Sequence, residues 1–389
     1  MNRICACVFC LLFVFTADSS AQKKEVASIE WKIAGVLPAP KDQMQSLGVA
    51  GPVAGVHNNV LFVAGGANFP DAMPWLGGKK KYYRDGFVFQ KKNDSLIFFK
   101  SFQLPSSLAY SANVSTADGV LAIGGENENG ISTKVLLLQW NEAANDVVIK
   151  SLPELPFAVT NASAAVNNEK IFVAGGERAN DVSDQLLVLD LKNYAAGWQS
   201  LSFIPNAVSH AVLVAQSNGS GNYLYLLGGR KRNSGSTSDL YQSTLRFDIT
   251  ANQWTEKKNL PYTLSAGTAV AAGNNILLFG GDAGETFHKS EEIIAAIGKE
   301  TDEVKKQKLN EEKAKVQSSH PGFCRQVLLY DTEKNKWKKL DCIPFDAPVT
   351  TTAIQWDGDV VIPSGEIRAG VRTPNLLSGK LTVKNSAQK

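Results

Sequence analysis

A strand that ends in two small residues recurs along this chain and restricts its fold more than any other feature. The copies are VLFVAGG (Val60–Gly66), VLAIGG (Val120–Gly125), KIFVAGG (Lys170–Gly176), YLYLLGG (Tyr223–Gly229) and NILLFGG (Asn275–Gly281). DVVIPSG (Asp359–Gly365) is a degenerate sixth. Their last glycines stand 59, 51, 53, 52 and 84 residues apart. A period of that size marks a repeat architecture, in which one unit cannot bury its apolar surface alone and must stack on its neighbours.

The same four-strand grammar surrounds each pair. Small and β-branched residues come first, as in Ala158–Val166 and Ser265–Ala272. A turn rich in Asn and Gly follows, then the nearly all-apolar strand before the glycines. A third strand comes next (Lys134–Trp140, Gln185–Leu191, Ser243–Asp248, Gln326–Asp331), and a fourth often opens on tryptophan, at Trp198, Trp254 and Trp337. Radial stacking of such sheets buries both faces of each, and the glycines permit positive φ and close approach where the second strand ends. The last repeat has three strands, Val349–Trp356, Val360–Ser364 and Leu376–Val383, and no tryptophan-type fourth; Ile29–Ile33, ending at Leu37-Pro38, supplies one. The expectation is an all-β, six-bladed kelch-type β-propeller over residues 22–389, closed by segment 29–37 joining the last blade. A five-bladed ring with an appended sheet is the competing arrangement.

Composition adds exclusions. With 40 basic and 37 acidic residues in 389, the charge balance makes no case for binding nucleic acid. Arg3 followed by the apolar run Ile4–Phe15, then Ser19-Ser20-Ala21, reads as a signal peptide over residues 1–21, hence secretion across the inner membrane to the periplasm. No later segment is apolar and long enough to span a bilayer, so no membrane association is expected after cleavage. Cys5, Cys7 and Cys10 leave with that segment; Cys324 and Cys342 fall on neighbouring strands, where a disulfide is permitted and two buried free thiols are the favoured reading.

In an antiparallel four-stranded blade, the loop after strand two and the crossover after strand four emerge on one side, so all segments after the small-residue pairs share a face. They begin at Ala67, Glu126, Glu177, Arg230, Asp282 and Glu366, and function sits preferentially in such loops. The fifth carries a helical insertion, about 285–319, rich in Glu, Lys and Ala, with Ile293, Ile294, Ile297 and Val304 near helical spacing. It reads equally as a lid or as a solvated decoration. Lys79-Lys80-Lys81 reads first as a solvated loop and second as an anion-steering run. The four histidines (His57, His210, His288, His320) form no close pair and residues 22–389 hold no CxxC, so neither a metal nor a cofactor is expected. Asn68, Arg84, Arg230, Asp282 and His320 are candidates for substrate binding, and Phe69 and Trp75 for packing inside the first loop or stacking on a bound ligand.

GGANFPDAMPW (Gly65–Trp75), GGDAG (Gly280–Gly284), HPGF (His320–Phe323) and GEIRAGVRT (Gly365–Thr373) together resemble the N-acetylneuraminate epimerases, or sialic acid mutarotases, and most closely their cyclically permuted branch. The resemblance covers nearly all of the chain after the apolar leader. It implies an isomerase that interconverts the α and β anomers of N-acetylneuraminate, with Glu366 and Arg372 as the catalytic pair. Such a reaction needs proton transfer and no metal. A guanidinium is a natural partner for the sugar's carboxylate. The departure is Pro363-Ser364, where the other repeats carry an apolar residue and glycine. A non-catalytic kelch module that binds a glycan or protein is the alternative, as is a structural role for the Glu366–Arg372 ion pair.

Overall fold

The computed structural model describes residues 24–40, 43–217 and 221–385. The proposed signal peptide, with Cys5, Cys7 and Cys10, lies outside them. Among the described residues the ring contains six antiparallel sheets, each a path of four strands, that of blade 1 with a short fifth, Lys81–Tyr82, paired to its second strand. Blade 1 comprises Ala50–His57, Val60–Asn68, Asp85–Lys92 and Ser95–Gln103; blade 2 comprises Ala112–Thr116, Gly119–Ile123, Val135–Asn141 and Asp146–Leu152. Blades 3 to 5 repeat the order, their second strands being Lys170–Ala174, Asn222–Leu227 and Asn275–Phe279. Blade 6 is built from both ends of the chain: Ile354–Trp356, Asp359–Pro363 and Asn375–Asn385 pair in turn, and Lys24–Val36 adds the outer strand in antiparallel register from Lys24↔Asn385 to Val36↔Asn375.

The recurrent glycines have one geometric reason. The first of each pair is left-handed (φ 66° at Gly65, 64° at Gly175, 55° at Gly228), and a Cβ there would lie 2.0–2.2 Å from a carbonyl oxygen of the next blade, at Leu108, Val208 and Leu264 respectively. That approach lets the second glycine donate its N–H across the blade boundary, as in Gly66 N to Leu108 O and Gly229 N to Leu264 O, both 2.8 Å. In blade 6, Ser364 holds the same conformation at φ 56°. Its hydroxyl accepts from Val49 N and lies within hydrogen-bond reach of the Thr373 carbonyl, so the departure from Gly keeps the backbone path and ties the loop to blade 1.

Burial follows the boundaries between blades. One apolar cluster fills each, for example Phe62, Val88, Ala122 and Leu138 between blades 1 and 2, and Phe279, Leu329, Val360 and Leu377 between blades 5 and 6. At the outer edge, Trp198, Trp254 and Trp337 each donate Nε1–H to a carbonyl beyond the preceding blade's last strand, at Pro153, Ser202 and Lys258. At the axis, six residues in left-handed conformation (Gly51, Tyr110, Asn161, His210, Ala266, Thr350) form a closed circle. Each donates its N–H to the carbonyl of the member before it, and Gly51 N to Thr350 O (2.7 Å) completes the round. Small inner-strand residues below this circle leave an axial channel of about 420 Å³.

The insertion forms two helices, α1 (Glu285–Lys299) and α2 (Glu303–Ser318), the latter capped by Asp302, whose carboxylate accepts from Val304 N and Lys305 N. Only part of the expected apolar stripe is buried: Ile293 is, whereas Ile294 and Val304 are exposed. The helical pair is attached at both ends of its reach. Glu291 accepts from Ser238 N and Oγ on the blade 4 loop, and α2 packs on the turn Pro74–Leu76 of the blade 1 loop. Cys324 and Cys342 are free thiols, which corrects the reading of two buried ones: Cys342 is exposed at the end of the outer strand Lys336–Cys342 and registers with Gln326, not Cys324.

Candidate active site

The residue that follows each small pair turns toward the same mouth. In five of the six blades it is charged: Glu126, Glu177, Arg230, Asp282 and Glu366, with Ala67 in blade 1. Backbone bridges hold each one beside the residue preceding the axial circle, as in Ala109↔Glu126, Ser209↔Arg230 and Val349↔Glu366. The repeat therefore converts one sequence position into a ring of ionisable side chains around the channel rim.

Three carboxylates of that ring carry a cation. Glu366 and Arg372 face each other across a hairpin (Glu366–Arg368 with Val371–Arg372), Nη2 to Oε2 3.4 Å. The turn of the hairpin is fixed by Gly370, whose N–H donates to Glu366 Oε1 at 2.8 Å and whose missing side chain makes room for Pro74 and Trp75 of blade 1. The Arg372 side chain is 4% exposed and its guanidinium lies 4.9 Å from the Phe69 ring centroid. Its Nε and Nη1 are buried with no hydrogen-bond partner among the described residues. A buried guanidinium with unmet donors is costly, and an oxygen of water or of a ligand can satisfy them. The pair does not line the axial channel itself; it stands at the rim, beside the circle members Tyr110 and Thr350. Burial raises the Tyr110 pKa, opposed by the charges of Lys80 and Arg372.

The second pair joins Arg230 Nη2 to Glu177 Oε1 at 3.3 Å. Arg230 Nη2 also meets His210 Nε2 at 3.4 Å, and its guanidinium lies 4.5 Å from the ring of Phe287 on α1. Burial, and then the Arg230 charge, hold His210 well below the usual histidine pKa, so the ring is neutral. The third pair joins Lys80 to Glu126 at 3.2 Å, with Tyr82 Oη donating to the same carboxylate oxygen at 2.7 Å. Burial opposes the Lys80 charge, but Tyr110, Glu126 and Tyr82 outweigh it and raise its pKa. Lys80 thus reaches Glu126 across the blade boundary while it and its neighbours Lys79 and Lys81 stay exposed, in keeping with the solvated-loop reading of the run.

The remaining candidates divide. His320 is buried; its Nδ1 accepts from Gly322 N at 3.0 Å, which leaves the proton of the neutral ring on Nε2. Burial lowers its pKa against the opposing pull of Asp282 and Glu366. Asp282 is half-buried and accepts from Gly284 N at 2.8 Å, setting the entry to α1. Asn68 is buried with its amide committed at both ends, Nδ2 to Gly48 O and Oδ1 from Tyr83 Oη, both 2.8 Å, so it braces the first loop. Arg84 is exposed at the start of the third strand of blade 1 and is not brought to the others. Sequence reasoning did not single out Tyr110, Glu126, Glu177, His210 or Phe287. The signal for the glutamates was present, a charge immediately after the glycine pair; the signal for Tyr110 and His210 was absent, because left-handed geometry there is set by the closing circle and not by residue type.

The family model for N-acetylneuraminate epimerase matches residues 14–148 and 152–389. A Haemophilus influenzae (strain PittEE) N-acetylneuraminate epimerase is 24% identical over 236 residues, 60% of each chain. A Vibrio vulnificus one is 39% identical over 126 residues, 30% of this chain and 32% of that one. The chain thus spans less than two thirds of the length of these curated relatives. The solved structure of YjhT superposes with TM-score 0.60 at 13% identity, covering 91% of this chain and 100% of that one, a likeness of fold.

Proposed function

Because the chain belongs to the N-acetylneuraminate epimerase family, we propose that it is an isomerase exchanging the α and β anomers of N-acetylneuraminate, with Glu366 and Arg372 as the reacting pair. The observation that supports this most is the Arg372 guanidinium, buried at the rim with two unpartnered nitrogens beside a carboxylate. The sugar's anomeric carbon carries a carboxylate, and Arg372 is placed to receive it by charge-assisted hydrogen bonds. Glu366 then lies against the neighbouring anomeric hydroxyl. Its carboxylate takes the hydroxyl proton as the C2–oxygen ring bond breaks and C2 becomes a ketone; the ring oxygen takes the proton. After rotation about the adjacent carbon–carbon bond, the hydroxyl adds to the opposite face of the ketone and the proton returns. No proton or electron is gained or lost over the cycle, and one carboxyl group can serve in both directions.

The test is a proton-NMR time course of α-anomer released by a sialidase. Wild type is expected to shorten equilibration, and Glu366→Gln to lower the rate by roughly 10²–10⁴-fold, the usual worth of a positioned acid–base group. If Glu366→Gln and Arg372→Met both leave the rate at the wild-type value, the assignment fails; affinity for the sugar without any rate effect in wild type would make the protein a binding module. The reading extends to export: Arg3 with the apolar run Ile4–Phe15 supports a periplasmic site of action, checked by fractionation.

A further inference from the structure

The Arg230 cluster sets a buried donor beside an aromatic ring. Glu177 Oε1 already accepts from Ser209 Oγ (3.1 Å) and from Arg230 Nη2. With Arg230 donating to Nε2, the neutral His210 ring carries its proton on Nδ1, directed at Ser209 Oγ 3.1 Å away. These contacts fall on Glu177 Oε1, His210 Nε2 and Ser209 Oγ. Arg230 Nε is buried with no partner among the described residues, and Phe287 supplies an aromatic surface beside the guanidinium. A second carboxylate would meet the fixed charge of Glu177. A group that only accepts, with a methyl to lay on an aromatic ring, satisfies both features: an acylamino group.

The axial circle sets the distance. Tyr110, beside Arg372, and His210, beside Arg230, are separated by Asn161, linked by two backbone hydrogen bonds of 3.0 Å each. Backbones paired in this way stand roughly 5 Å apart per step, so the two circle residues beside the clusters are within about 10 Å along the backbone, the scale of one monosaccharide. Resting on the anomer-exchange reading of Glu366 and Arg372, we propose that Arg230, held by Glu177 and roofed by Phe287 of α1, is a specificity-determining residue that hydrogen-bonds the acylamino carbonyl of the sugar acid. The helical insertion then belongs to the site, because α1 carries the ring that shapes this subsite and is pinned to blade 4 through Glu291 and Ser238.

The experiment compares N-acetylneuraminate with the analogue that has a hydroxyl in place of the acetamido group, using the full chain after export. Saturation-transfer NMR reads binding, and the anomer time course reads KM and kcat. In wild type the acetamido methyl receives strong saturation; in Arg230→Met that signal falls and KM for N-acetylneuraminate rises roughly tenfold or more, with kcat little changed and KM for the analogue nearly constant. Arg230→Lys recovers part of the loss, and Phe287→Leu reproduces the selective defect without deleting apolar bulk. Equal losses on both sugars, a fall confined to kcat, or an unchanged methyl signal in Arg230→Met overturns the proposal. Wild type that binds through the methyl but does not speed exchange leaves the subsite standing and removes the catalytic reading; wild type that neither binds nor exchanges removes both.

Discussion

Single residues at the rim do two jobs, and His210 shows the tension. Its backbone closes the axial circle at φ 52°, and its side chain must stay neutral next to Arg230. A histidine whose folded pKa lies below 6.5 takes up its proton first in the unfolded state as pH falls, so stability is full above that pH and declines through it. His57 and His320 are shifted in the same direction, chiefly by burial, and add to the decline. Unfolding free energy from urea titrations is expected to fall between pH 7 and about 5, and His210→Asn to reduce that slope. Asparagine fits the backbone there, since Asn161 occupies the same place in blade 3 at φ 53°. An undiminished slope in the variant would show that His210 is not the responsible group. Residues also mark where sequence reading stopped. Glu366 and Arg372 were singled out by the family resemblance and by lying six residues apart on one loop, which the structure folds as a hairpin, whereas Lys80 reaches Glu126 from another blade, and no local pattern announces that meeting.

At the level of the strand, the repeat was readable because its requirement is local. The glycine pair answers a carbonyl about 2 Å from a would-be Cβ, and the outer tryptophan answers a carbonyl of the preceding blade. Strand ends were less legible: the inner strand read as Ser265–Ala272 forms a continuous ladder only over Thr268–Ala272, with Ser265 bridged separately to Asp282, because Ala266 between them is taken by the axial circle. The tryptophan staple gives a direct prediction. Trp254→Phe keeps the ring packed on Phe247 but loses the bond to Ser202 O, and is expected to lower stability by about 0.5–1.5 kcal/mol in denaturant titration. No loss would mean that water replaces the staple at no cost. The insertion shows the opposite limit, since its charged, weakly patterned helices gave no sign that Glu291 would hold Ser238 or that Phe287 would cover Arg230.

For the whole molecule, closure is the controlling event. Both termini meet in blade 6, where Trp31 packs edge-on against Phe279 of blade 5 at 5.6 Å and Lys338 pairs with Glu25. Removing residues 24–36 exposes the edge of Asn375–Asn385 and opens the cluster that includes Ile29, Val360 and Leu377. The truncated chain is expected to lose its single cooperative thermal transition, read by circular dichroism and by binding of a hydrophobic dye; a transition like that of the full chain would mean the ring holds without its N-terminal strand. The site depends on the same event, since the loops of blades 6 and 1 meet at Gly370 and Pro74 only in a closed ring.

The claim on which the rest turns is that the sugar's carboxylate fills the empty donors of Arg372 while its anomeric hydroxyl rests against Glu366. A crystal structure of the Glu366→Gln protein soaked with N-acetylneuraminate tests it directly. The account predicts carboxylate oxygens within hydrogen-bond distance of the Arg372 guanidinium and the anomeric hydroxyl against residue 366. A sugar seated elsewhere, or one turned with its carboxylate toward Arg230, would contradict it.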